Sequence, residues 1–213
     1  MRFFGYFRSS AAYRCRIAFN LKGVQPEFIP IHLRKGEQTA PDFLRLNPQG
    51  LVPAFEVDGR LLTQSLAIIE WLDETHPEPP LLPGNAFDRA QVRAAALSIA
   101  CDIHPLQNLR VLKHLKSQFA QDQAGLDRWC KTWIEPGLAA FETVIANSGK
   151  TGAFCFGDTP GLADLCLVPQ MFSAGRFGAD VSRLTNIQRI MASCNAHPAF
   201  AAAHPSRQPD AEA

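Results

Sequence analysis

Arg8, Ser9 and Ser10 stand where a run of alternating aromatics, Phe3, Phe4, Tyr6 and Phe7, hands over to a helical pattern. In that pattern Tyr13, Ile17 and Leu21 recur every four residues, while Arg14, Arg16 and Lys22 point elsewhere. The aromatics read as a strand, so two hydroxyls fall at the N-terminus of a helix. Backbone N–H groups there lack partners, and the helix dipole favours negative charge. A turn of this kind can hold an anion or a thiolate. It has no thiol of its own, so a nucleophile acting there must arrive from outside the chain. On this segment alone the simpler reading is that one serine caps the helix; the rest of the chain shifts the weight.

Composition bounds the alternatives. The chain has 213 residues, 46% hydrophobic and 19% charged, with a formal net charge of +1. That is the profile of a globular protein with a full core, in one domain or two. Near-neutral charge without a basic stripe gives no reason to expect nucleic acid. No apolar run is long enough to span a bilayer, and residues near Arg2 do not form a signal peptide, so the expected compartment is the cytoplasm. The six cysteines, Cys15, Cys101, Cys130, Cys155, Cys166 and Cys194, are too irregularly spaced for a disulfide framework or a metal site. Most read as small buried hydrophobes.

The elements that must position the serines follow from punctuation. Glu27 to Leu33 reads as an edge strand near two prolines, and Asn47-Pro48-Gln49-Gly50 as a turn. Asp58-Gly59 between Ala54–Val57 and Leu61–Thr63 is a strong hairpin signal. Ser65 reads as the N-cap of a helix with Leu66, Ile69 and Leu72 on its core face. Strand, helix, strand, short helix, hairpin and helix make an α/β, thioredoxin-like domain over residues 1–76. A proline-rich link follows at 77–85, and an all-α domain over 86–213, with helical stretches at 86–119, 125–146, 161–174 and 184–196. A polar tail begins at His204.

The run from Phe7 to Ala18, Asn47-Pro48, Leu51-Val52-Pro53, Gln64 to Glu70, Ala163 to Gln170 and the tail segment His204 to Asp210 resemble the zeta class of cytosolic glutathione transferases. The resemblance spans nearly the whole chain and implies the glutathione transferase fold, glutathione as cofactor and a homodimer. It implies that Ser9 or Ser10 donates a hydrogen bond to the glutathione sulfur. It implies a cis Pro53, with the Val52 backbone pairing to the peptide, and Gln64 and Ser65 on the γ-glutamyl carboxylate. Gln38, His104 and Asn108 match further cofactor-side positions. Two departures stand out: Ala11 occupies the usual place of a cysteine, and Gly161 that of a Ser or Thr cap. Chemistry must then rest on the glutathione thiolate alone.

This class includes glutathione-dependent isomerases of maleyl diacids. The resemblance implies reversible thiolate addition to a cis double bond, rotation, and expulsion of the thiolate to leave the fumaryl isomer. A small diacid needs carboxylate anchors, and arginine suits that work through its planar fork. Arg8, Arg110 and Arg176 match substrate-side positions, Arg8 within the catalytic turn. Arginine at 110 resembles the maleylpyruvate isomerases, whereas maleylacetoacetate isomerases tend to carry a small polar residue there. Arg14 and Arg16 read as structural, a surface charge or an interdomain pair. The competing readings are a general transferase that conjugates or dehalogenates electrophiles and consumes glutathione, and a non-catalytic scaffold that would not be retained on glutathione.

Overall fold

The computed structural model describes residues 1–212, which form two compact units: Met1–Leu81 with the segment from Ala196 onward, and Leu82–Asn195. In the first unit, β1 (Arg2–Gly5) leads into α1 (Ser10–Lys22) and β2 (Glu27–Pro30). A short 3-10 turn (Glu37–Thr39), α2 (Pro41–Leu46), β3 (Ala54–Val57), β4 (Arg60–Thr63) and α3 (Ser65–Thr75) follow. The sheet order is β2-β1-β3-β4, with β1 parallel to β2 and antiparallel to β3. Asp58 and Gly59 close the β3–β4 hairpin at φ 50° and 71°, the doubly left-handed turn that their residue types favour. The expected strand to Leu33 stops at Pro30, which has no N–H for the ladder.

Alternation along β1 sends consecutive aromatics to opposite faces. Phe3 meets Phe19 at 4.9 Å, Phe19 meets Phe55 at 5.1 Å and Phe55 meets Trp71 at 5.6 Å, forming the core beneath α1 and α3. Phe4, Phe43 and Ala54 form the other core, with Ile29, Leu46 and Leu61 against them.

Helix α1 differs from its sequence reading. Arg14, Arg16 and Lys22, expected to face away from the packed side, are all buried. The reason is coverage: α1 packs against the sheet, α3 and α9 (Pro198–Ala203) at once. Lys22 Nζ accordingly donates to Asp73 Oδ1 at 2.7 Å and to the Pro79 carbonyl at 2.6 Å. The all-helical domain was expected to run to residue 213. The segment from Ala196 onward instead groups with the first unit, because α9 lies on α1 and Arg16 Nε donates to the Ala203 carbonyl at 3.1 Å.

The second unit is helical. α4 (Ala86–Leu97) opens with Asn85 accepting from the Phe87 and Asp88 N–H groups. The helical periodicity read over Ala86 to Phe119 is realised as α4, a π-turn (Ser98–Ile103), a 3-10 turn (His104–Gln107) and α5 (Leu109–Gln118). Pro105 lacks the donor a regular helix needs there. Gln107 and Gln170 exchange buried amide bonds at 3.2 and 3.3 Å, and Trp129 Nε1 donates to the Leu106 carbonyl at 2.8 Å. These bonds brace the irregular segment to α6 (Gln123–Asn147) and α7 (Leu162–Phe177). α8 (Thr185–Ala196) completes the unit.

Gly161 caps α7 in extended backbone and offers no side-chain acceptor. Asp164 supplies the other half of the box: it is 1% exposed and accepts from the Gly161 and Cys155 N–H groups, each at 2.9 Å. Burial pushes its carboxyl up, and these bonds oppose that shift. Asp164→Ala should strand two buried donors at about 1–3 kcal/mol each. The expected loss in a urea titration is about 3–4 kcal/mol of unfolding free energy; a loss under about 1 kcal/mol would mean the N–H groups find other acceptors.

Candidate functional site

The strand-to-helix turn is built as its residue types suggest. Ser9 is the cap of α1, with φ −70° and ψ 116°, and its Oγ accepts the Ala12 N–H at 3.2 Å. Ser10 is the first helical residue and is buried, 7% exposed. Arg8 is half-buried and makes no ion pair among the described residues. The turn is clamped from two sides. Arg16 Nη2 donates to the Phe7 carbonyl at 2.9 Å and Nη1 to the Tyr6 carbonyl at 3.4 Å, while Asp210 Oδ2 accepts the Phe7 N–H at 2.9 Å. Burial lowers the Arg16 guanidinium to about 10, which leaves it charged at neutral pH. Burial is also the main reason the Tyr6 hydroxyl titrates high, with Glu212 adding to it; its ring lies 5.2 Å from His32.

A second candidate feature is the N-terminus of α3. The cap is Gln64, not Ser65 as the sequence suggested; Ser65 is the first helical residue. Gln64 takes φ 69° and ψ 117°, strained for a residue with a side chain, and such strain concentrates at ligand clamps. Its Nε2 donates to Gln49 Oε1 at 3.2 Å. Ser65 is 6% exposed, and its Oγ accepts from Arg14 Nη1 at 3.2 Å. The Val52-Pro53 bond is cis, and the Val52 backbone makes no hydrogen bond among the described residues. Gln38 sits in the 3-10 turn with its Oε1 buried and unpartnered among the described residues. Gly50, at φ 60°, lets that turn close in: a Cβ there would lie 3.1 Å from the Gln38 carbonyl oxygen.

The remaining predicted residues belong to the second unit. His104 opens the 3-10 turn. Asn108 caps α5, its Oδ1 accepting the Arg110 N–H at 3.1 Å. Arg110 is exposed in the first helical turn, where the dipole disfavours a cation. Arg176 is exposed in the last turn of α7, its guanidinium 5.3 Å from the Phe177 ring centre. The first unit holds Arg8, Ser9, Ser10, Gln38, Val52, Pro53, Gln64 and Ser65; the second holds His104, Asn108, Arg110 and Arg176.

Sequence reasoning missed Arg14 and Asp210. Arg14, read as a structural surface or interdomain charge, is 2% exposed and bonded to Ser65. Asp210 lies in the tail and had no short-range pattern to mark it; only the tail's family resemblance signalled anything there. The cysteines are all free, and Cys101 alone among them is exposed. Burial pushes the Cys130 thiol up to about 12 and raises those of Cys155 and Cys194 as well, so these three are poor nucleophiles.

Residues 1–74 match the glutathione S-transferase N-terminal domain family. The chain is 46% identical to a maleylpyruvate isomerase of a Ralstonia species over 99% of both chains. It is also 46% identical to the maleylacetoacetate isomerase of Pseudomonas aeruginosa over the full length of both. A holo maleylpyruvate isomerase described as a zeta-class bacterial glutathione S-transferase superposes with a TM-score of 0.97, at 46% identity over 100% of both chains. The maleylacetoacetate isomerase of Methylobacterium extorquens AM1, solved with malonate and glutathione, gives 0.95 at 42% identity over 100% of both chains. With this identity over its whole length, the chain belongs to the zeta-class glutathione transferase family of maleylacetoacetate and maleylpyruvate isomerases.

Proposed function

We propose that this chain is a glutathione-dependent cis–trans isomerase of a maleyl diacid, with maleylpyruvate favoured over maleylacetoacetate. The observation that carries the reading is the turn at Arg8 and Ser9: an arginine with no ion pair among the described residues, next in sequence to a hydroxyl that caps a helix N-terminus. One group can take a substrate carboxylate and the other can face a sulfur anion.

The residues present fit the cofactor. The first-turn N–H groups of α3, the Ser65 hydroxyl and the Gln64 amide suit the γ-glutamyl carboxylate. The unbonded Val52 backbone suits a peptide backbone, and the unpartnered Gln38 Oε1 suits an N–H donor. Asn108, whose Oδ1 is committed to the cap, has its amide N–H groups to offer, and His104 lies four residues before it. Bound glutathione supplies a thiolate that adds reversibly to the conjugated double bond and is returned unchanged. Ser9 and Ser10 stabilise negative charge at the turn. Arg8, Arg110 and Arg176 hold the carboxylates, offset repulsion between a dianion and a thiolate, and stabilise charge that develops on the substrate. Ala11 offers no competing thiol at the turn.

The same reading makes the protein a cytoplasmic homodimer serving aromatic catabolism. Among the described residues no helix is long and apolar enough to cross a membrane.

The test is stoichiometry. Glutathione at about a hundredth of the substrate concentration should drive complete conversion of maleylpyruvate to fumarylpyruvate, with free thiol undiminished at the end. Conversion that stops when the thiol is exhausted would favour a conjugating or dehalogenating transferase.

A further inference from the structure

Beside Ser65, at the start of α3, lies a buried cation. Arg14 projects from α1, 2% exposed, and its Nη1 donates to Ser65 Oγ at 3.2 Å. Its Nε and Nη2 are buried without partners among the described residues. An uncompensated buried charge is costly. Guanidinium N–H groups only donate, so Ser65 Oγ must be the acceptor in this bond. The single hydroxyl proton is therefore free to be given elsewhere. Cys15 Sγ contacts the Ser65 carbonyl at 3.7 Å, which ties the same residue to α1 a second time.

We propose that Arg14 is a positioning residue for the carboxylate held at the N-terminus of α3: it fixes the Ser65 hydroxyl as a donor to the ligand and places a full positive charge directly behind it. The inference rests on the reading that glutathione's γ-glutamyl carboxylate occupies this site. Arg14 acts through Ser65 and through its field, without touching the ligand. An anion seated on α3 would in turn offset the charge that now lies unpaired. The strained cap at Gln64 belongs to the same device, since it aims the first turn of α3 at one place.

The experiment compares two ligands by titration calorimetry: glutathione, and 4-aminobutyryl-cysteinylglycine, the same tripeptide without the γ-glutamyl α-carboxylate. Wild type should prefer glutathione. Arg14→Met keeps the stem and removes the charge; it should weaken glutathione about tenfold or more while leaving the decarboxylated analogue within about threefold. Equal weakening of both ligands, or of neither, would reduce Arg14 to a packing residue and overturn the proposal. If Arg14→Met does not fold, Arg14→Lys and Arg14→Gln replace it. Both can donate to Ser65 and only the first is charged, so the lysine variant must retain more of the preference for glutathione; equal preference overturns the proposal. Wild type that binds neither ligand would instead remove the underlying glutathione reading, and wild type that binds both alike would remove the carboxylate from this site and the proposal with it.

Discussion

Replacing Ser9 and Ser10 together by alanine should raise the pKa of glutathione's thiol on the protein by about one to two units and lower turnover at pH 7 by about ten- to a hundredfold. A free thiol near pKa 8.5 is only a few per cent ionised at neutral pH, and each unit of lowering requires about 1.4 kcal/mol of preference for the anion. The turn has the means. Ser9 Oγ accepts the Ala12 N–H, which leaves the hydroxyl proton free to be donated, and Ser10 begins the helix one residue on. Thiolate absorbance in the ultraviolet, followed against pH for the complex, reads the shift directly. Each single variant then assigns the share of each serine. Because Ser9 also caps α1, its loss should cost about 1 kcal/mol of stability, so thermal unfolding of the variants belongs beside the titration. A double variant with an unchanged thiol titration would end the proposed role of the turn.

The second large effect concerns choice of substrate. Maleylpyruvate carries its second carboxylate directly on the ketone, nearer the reacting alkene than in maleylacetoacetate. Arg110 is exposed in the first turn of α5, with its backbone N–H fixed by Asn108. A cation at that end of a helix opposes the dipole, a small standing cost that a bound carboxylate would remove. Arg110→Ser should therefore lower kcat/KM for maleylpyruvate about ten- to a hundredfold, the worth of a charge-assisted hydrogen bond, and affect maleylacetoacetate much less. Equal losses on both substrates would assign Arg110 to glutathione or to the helix.

Local chemistry was legible in the sequence and long-range packing was not. The β1–α1 turn, the Asp58-Gly59 hairpin and the start of α3 each rest on a few neighbouring residues, and each lies within a residue of its expected place. Arg14 and Arg16 were misread because arginine on a helix ordinarily seeks water, and nothing nearby reveals that residues 12–19 of α1 are all buried. The interruption at 98–107 hid inside a continuing helical periodicity, with Pro105 its one local sign. In the site, Ser9, Ser10 and Gln64 were visible as types at turns. Arg14 became a partner of Ser65 only once α1 and α3 were packed together.

The grouping of residues 196–212 with the first unit carries a consequence for synthesis. Domains generally fold as units, N-terminal first, while the chain is being made. Here the ribosome delivers Leu82–Asn195 in full before Arg16 can meet the Ala203 carbonyl or Phe7 can meet Asp210. The first unit to be started is thus the last to be finished, and the serine turn acquires its final clamp only when translation has passed residue 210.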